Sequence, residues 1–343
     1  IPKVPEQGYY VLSSAQQRMY FLYEFDKASL SYNMPGIYRL TGELDVPHLK
    51  ACFHQLVDRH ESLRTFFEMR DSGVVQRIVP AADFEVLYKE GSSEDMQSVI
   101  DGFVRPFELC SAYPFRVALY QFAPREALLL IDMHHIISDG VSHQVLLEDF
   151  CKLYQGESLA PLSLQYRDYA HWQQDSLEEG TLADHRSYWL SVYKELPSQL
   201  SLPTDYPRPL IKTDHGRSTG ITIEGRRLHK LRALAQEEGV TMYMLLLALY
   251  TLLLRKLSNQ EDIVVGTPTS GRHHADLEGM VGMFVNTLAL RYEVSGDQDF
   301  RSYLSLVKRC TLGAFDHQLY QYETLVEELG IDRDTSRNPL FDV

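Results

Sequence analysis

Apolar and polar positions along this chain switch repeatedly between a period of two and a period near 3.6. Five apolar residues at 127–131 follow the polar Pro124, Arg125 and Glu126 and read as a strand buried on both faces. Beyond them Val145, Leu146, Phe150 and Leu153 recur at helical spacing, with Ser142 placed to cap the helix they mark. His134, His135, Asp139 and Gly140 therefore fall on a strand-to-helix turn, where side chains and unpaired N–H groups are displayed together.

Upstream, Ser14 with Gln17 makes a capping-box pattern before a short helix through Met19 and Leu22, closed by a loop at 31–35. A strand is expected at 36–41, and Asp45 is placed to cap a helix carrying Leu49, Phe53, Leu56 and Val57. Strand signals follow at 74–79, across a turn at 71–73, and at 84–88; a helix then runs to Arg105 and is stopped by Pro106. Residues 114–122 and 127–133 pair as a hairpin that ends at the histidines, and helices are expected at 166–172 and 187–196. Pro197, Pro203, Pro207 and Pro209 make 196–215 a connector. The second half repeats the texture, with strands at 217–223, 262–266 and 283–292, a helix pair over 228–256 and a helix at 299–316. A polar loop at 332–339 precedes what reads as the start of a strand. The pattern is that of a mixed α/β protein with an N-terminal lobe at 1–178 and a C-terminal lobe at 179–343.

Length supports that division, since 343 residues suffice for two lobes with a core each. Forty-seven acidic residues against 33 basic ones leave a net charge of −14, which argues against nucleic acid or an anionic membrane as a main partner. The apolar run at 242–254 is interrupted by Tyr243, Tyr250 and Thr251, is too short to span a bilayer and reads as a buried core helix. Cys52, Cys110, Cys151 and Cys310 have neither metal nor disulfide spacing and fit reduced thiols in a cytoplasm. Ile1 in place of a starting Met suggests a piece of a longer polypeptide.

Adjacent histidines carry little weight alone, because 13 His in 343 positions give about 0.5 such pairs by chance. The chain holds its own control: His273 and His274 are also followed by an acid, Glu278, and by Gly279. That second copy trails a polar turn and reads as a surface loop, whereas the first hangs from a buried strand and opens a helix. Arg59 and Arg64, at the end of the helix capped by Asp45, read as solvated charges unless a buried Asp139 lies near; either would then be its counter-ion.

The run Met133, His134, His135, Ile136, Ile137, Ser138, Asp139, Gly140, with the runs at 14–20, 59–67, 166–172, 282–287 and 333–340 in that order, resembles the condensation domains of nonribosomal peptide synthetases. The resemblance covers nearly the whole chain. It implies two lobes related to chloramphenicol acetyltransferase, set in a V around a tunnel, the second lobe being truncated at the C-terminus. It also implies a monomeric, cytoplasmic assembly-line enzyme that binds no cofactor directly. Donor and acceptor peptidyl carrier proteins bring the substrates on 4'-phosphopantetheine arms, and an adenylation domain adjoins. The implied reaction is attack of an acceptor α-amine on a donor thioester.

His135 matches the family's second histidine. An α-amine has a pKa of about 8 and is partly neutral already, so His135 is expected chiefly to orient it and stabilise its developing charge, with proton removal secondary. The family pattern makes Asp139 structural, bridged to an arginine of the 59–67 run, Arg59 in preference to Arg64. His134 is expected to pack inward, the Gly140 N–H to serve as an oxyanion donor, and Ser138, Asn286, Arg337 and Asn338 to line or brace the tunnel. The loop at 31–35 resembles the branch that takes L-configured donors. Three other readings stay open: an epimerisation domain sharing the histidine turn, a free-standing acyltransferase using coenzyme A, and a catalytically silent domain that recruits carriers or partners.

Overall fold

Alternation along 126–133 puts Ala127, Leu129, Ile131 and Met133 on one face of a strand and Leu128 and Leu130 on the other, and both faces are covered. The computed structural model that shows this describes residues 1–71, 73–210, 216–331, 334 and 336–343. Parts of the expected turn at 71–73, the connector at 196–215, the loop at 332–339 and the matching run at 333–340 lie outside the described residues.

The chain divides into one unit of Ile1–Gly180 with Arg272–Val285 and another of Thr181–Gly271 with Asn286–Val343. The first contains, in order, α1 (Ser14–Phe25), β1 (Gly36–Thr41), α2 (Val46–Arg59), β2 (Thr65–Arg70), β3 (Gly73–Ile78), β4 (Val86–Glu90), α3 (Met96–Phe103), β5 (Phe115–Ala123), β6 (Glu126–Met133), α4 (Gly140–Tyr154) and α5 (Tyr166–Glu178). Its main sheet has the order β1-β6-β5-β4, antiparallel except for the parallel β4–β5 pair, while β2 and β3 form a separate hairpin. The central position of β6 explains its unbroken apolar run. Leu49, Phe53 and Leu56 of α2 and Leu146 and Leu153 of α4 join its odd-numbered face in the core; Phe103 of α3 and Tyr120 join Leu128 and Leu130.

Two caps differ from expectation by a few residues. The capping box of α1 is Ser13 with Gln16, because the Ser14 N–H is drawn to Gln173 Oε1 (2.8 Å) and the Ser13 hydroxyl meets Tyr166 (2.8 Å). The cap of α4 is Asp139, and Ser142 sits in the first turn as the residue capped.

The second unit contains α6 (Ala183–Val192), α7 (Gly225–Glu237), α8 (Met242–Ser258), β7 (Asp262–Thr269), β8 (Asn286–Glu293), α9 (Phe300–Asp316) and α10 (Tyr322–Glu328). The strand expected at 217–223 is absent: Ile221 is 89% exposed, and no neighbouring strand takes up the backbone among the described residues. The run expected as a buried core helix is α8, which enters the core with one side. Leu245, Ala248 and Leu254 enter the core, while Leu246, Leu253 and Leu257 face outward. No single described helix is long and apolar enough to cross a membrane. The strand expected from 283 begins instead at Asn286, because the Gly282 and Phe284 N–H groups are already bound to Ser142 Oγ (3.0 Å) and Asp139 Oδ2 (3.2 Å).

Gly282 is required by close approach. A Cβ there would lie 1.9 Å from Tyr166 Cδ2. The ring cannot retreat, being buried, packed on Phe284 at 4.9 Å and tied through its hydroxyl to Ser13 and the Met283 carbonyl. Gly282→Ala should therefore cost about 1–3 kcal/mol of stability by urea unfolding; an unchanged midpoint would mean that the Tyr166 packing is looser than described.

Candidate active site

The turn after β6 is built from its first residue. The His134 N–H donates to the Pro114 carbonyl (2.9 Å), and its Nδ1 accepts the Ile136 N–H (3.1 Å), capping a 3₁₀ turn over His135–Ile137. With Nδ1 an acceptor, the proton of the neutral ring sits on Nε2. Tyr23, Tyr32 and Phe107 pack around the imidazole at 6.0–6.3 Å. Burial, reinforced by the neighbouring His135, pushes its pKa down from 6.5 to about 3. His134 thus packs inward and stays neutral.

His135 is half-buried, and its N–H donates to the Tyr32 carbonyl (2.8 Å). Its Nδ1 is buried with no hydrogen-bond partner among the described residues. Ser138, expected to line a tunnel, is wholly buried, with its hydroxyl on the His134 carbonyl (3.3 Å) and Met34 Sδ (3.4 Å); it closes the turn. Gly140 is exposed at the first position of α4, has no left-handed φ, and a Cβ there would meet nothing within 4 Å among the described residues. Neither backbone conformation nor a close neighbour among the described residues demands glycine at that position.

Asp139 carries the local architecture. Its Oδ1 accepts the Ser142 N–H (2.7 Å), lies 2.7 Å from the Ser142 hydroxyl and accepts Arg272 Nη2 (3.1 Å), while Oδ2 accepts the Phe284 N–H (3.2 Å). The counter-ion is therefore Arg272, correcting the expectation of Arg59 or Arg64. Arg59 pairs instead with Asp149 (3.0 Å), which also meets His60 Nε2 (3.1 Å). Arg64 donates to the carbonyls of Val57 (3.1 Å) and Val79 (2.8 Å), tying α2 to the end of the β2–β3 hairpin. Arg272 also donates to the carbonyls of Leu277 and Met280 and lies 4.2 Å over the Phe284 ring. The second histidine pair is thus the exposed part of a segment whose next residues, Leu277, Met280 and Val281, are buried in the first unit. A lone arginine after a polar turn gave no hint of this.

The remaining expected site residues belong to the second unit. Asn286 spends its full hydrogen-bonding capacity locally: Nδ2 donates to the carbonyls of Gln318 (2.8 Å) and Tyr320 (2.9 Å), and Oδ1 accepts the N–H groups of Thr287 (2.9 Å) and Tyr322 (3.2 Å). Arg337 is held by Asp342 (2.8 Å) and the Leu200 carbonyl (3.3 Å), and Asn338 lines the same small cavity as Pro197 and Ser198. No group of three or more His, Cys, Asp or Glu side chains is arranged to hold a metal among the described residues.

The model of the condensation domain family matches residues 6–343. The chain belongs to the condensation domain family. It is 47% identical to tyrocidine synthase 3 of Brevibacillus parabrevis and 45% identical to bacitracin synthase 3 of Bacillus licheniformis, each over the whole of this chain but only 5% of that protein. Among solved structures it resembles the X-domain from teicoplanin biosynthesis, with a TM-score of 0.90 and 26% identity over 99% of this chain and 78% of that one. This condensation domain is of the nonribosomal peptide synthetase type, and the chloramphenicol acetyltransferase-like fold expected from its motifs is borne out.

The depressed His134 pKa has a definite consequence for stability. Between about pH 6.5 and 3 the unfolded chain takes up a proton at His134 that the folded domain refuses, so stability is lost as pH falls through that window. His134→Asn retains an acceptor for the Ile136 N–H and removes the titration. In urea unfolding, wild type should lose stability relative to this variant by up to about 1.4 kcal/mol per pH unit there; parallel curves would contradict a neutral, buried His134.

Proposed function

We propose that this domain joins a donor acyl group to an acceptor amine, both delivered as thioesters on the phosphopantetheine arms of carrier proteins. The acceptor nitrogen attacks the donor carbonyl, the C–N bond forms, the C–S bond breaks, and the departing carrier sulfur leaves with the proton lost by the amine. The observation that carries this reading is the intact turn, with His135 half-buried and α4 starting at Gly140, where a Cβ would meet no described residue within 4 Å.

The surroundings of His135 support positioning over strong general-base action. A base that must strip a reluctant proton is commonly oriented by a third group. His135 Nδ1 has none among the described residues, and both Asp139 oxygens are already engaged. An amine that is already partly neutral needs alignment and charge stabilisation more than deprotonation. The space at Gly140 fits a thioester carbonyl approaching the first N–H groups of α4, those of Gly140 and Val141, since the Ser142 and His143 N–H groups are already bound to Asp139. Asp139, His134 and Ser138 hold the turn, and Asn286 and Arg337 brace the second unit.

We assign the docking of a carrier to α1. Met19, Tyr20 and Tyr23 share the core with Ile136 and Ile137 of the turn, while Phe21 (60% exposed) and Phe25 (75%) face outward. Paired exposed aromatics on a helix that touches the reactive turn are what a partner delivering substrate to that turn requires.

The test is mass spectrometry of two loaded carrier proteins with the intact polypeptide that carries this domain. Dipeptidyl carrier should form with wild type and fall about 100-fold or more with His135→Ala. Phe21→Glu with Phe25→Glu should raise the apparent KM for a carrier while leaving kcat nearly unchanged. Scrambling of the donor α-carbon without condensation would favour epimerisation. Carrier binding with no covalent change would favour a silent recruitment role.

A further inference from the structure

The loop at 31–35 bears directly on the histidine turn. Its pairing continues the β1–β6 register past Pro35, which has no N–H to give: Gly36 pairs with Ile131, and Asn33 bridges to His134. The Met34 N–H donates to the Met133 carbonyl (2.8 Å), and the Tyr32 carbonyl accepts the His135 N–H (2.8 Å). The main chain of His135 is therefore held by this loop.

The loop is in turn held by a buried carboxylate. Asn33 Nδ2 donates to Asp132 Oδ2 (2.7 Å) and to the Arg105 carbonyl (3.0 Å). Asp132 is wholly buried on β6, directly across the ladder from Arg116, whose Nε lies 3.8 Å from Oδ2. Arg116 lies 3.6 Å over the Phe107 ring, and Phe107 packs edge-on against His134 at 6.0 Å. A buried charge of this kind is costly to keep, and its one direct side-chain hydrogen bond among the described residues goes to Asn33.

We infer that Asn33 and Asp132 are positioning residues for His135: Asp132 fixes Asn33, Asn33 fixes the loop, and the loop fixes the His135 backbone. This rests on the role proposed for His135. Neither side chain touches the substrate; each acts through the histidine.

The experiment combines condensation kinetics with the rate at which diethyl pyrocarbonate modifies His135, mapped by mass spectrometry, in the intact polypeptide. Asn33→Ala should lower kcat about tenfold with KM within about twofold, since a small displacement of an aligned group is costly. On a His135→Ala background the same substitution should change the rate by less than about twofold, because its effect passes through His135. Asp132→Ala should behave as Asn33→Ala does, and Asp132→Asn, which keeps an acceptor for Asn33, should recover most of the loss. The modification rate of His135 should change in Asn33→Ala and Asp132→Ala while that of the exposed His274 stays constant. An unchanged kcat in Asn33→Ala, or an equal loss with and without His135, would overturn the inference. Should wild type form no dipeptide, the function proposed above fails, and the modification rates still decide: a change confined to His135 supports the positioning role, and none overturns it.

Discussion

The buried carboxylate of Asp139 organises the start of the helix that follows the reactive turn. Asp139 is wholly buried, yet it caps α4, contacts the Ser142 hydroxyl, receives a guanidinium from Arg272 and accepts the Phe284 N–H. An isolated carboxylate would be too costly in such a place; its four partners make it tolerable. They also join two stretches more than 130 residues apart in sequence, since Arg272 and Phe284 arrive from beyond the first lobe's nominal end. The segment at 272–285 is committed to Asp139 and Ser142, which delays the start of β8.

That commitment separates structural from chemical work within one short motif. His134, Ser138 and Asp139 are consumed by the protein: one caps a 3₁₀ turn, one closes it and one anchors the following helix. His135 and Gly140 keep unspent capacity among the described residues, an imidazole whose Nδ1 has no partner and an exposed first helical residue. Chemistry is available where the fold has not already used the hydrogen bonds. By the same measure Asn286 has nothing left to offer a substrate.

Much of this was legible in the sequence wherever local rules suffice. The β6 run, the Asp45 cap of α2, the hairpin into the histidines and the α9 helix follow from periodicity and capping chemistry alone. What stayed hidden was set by tertiary partners. Nothing local distinguishes Ser13 from Ser14 as a cap until Gln173 and Tyr166 are in place. Arg59 was a reasonable partner for Asp139 by chemistry, and Asp149, a helical acid that periodicity places among apolar neighbours, took it instead. Ile221 and its neighbours alternate as a strand should, but an isolated strand has no ladder to join.

The most direct test of the central claim is a double-mutant cycle on the buried pair, Arg272→Met and Asp139→Asn, read by urea unfolding. Arg272→Met alone strands a buried charge and should cost about 3 kcal/mol or more, while the double variant should be less destabilised than the two single losses summed, by at least about 1.5 kcal/mol. Additive losses would show that the two residues stabilise the domain independently and that the start of α4 does not depend on their pairing.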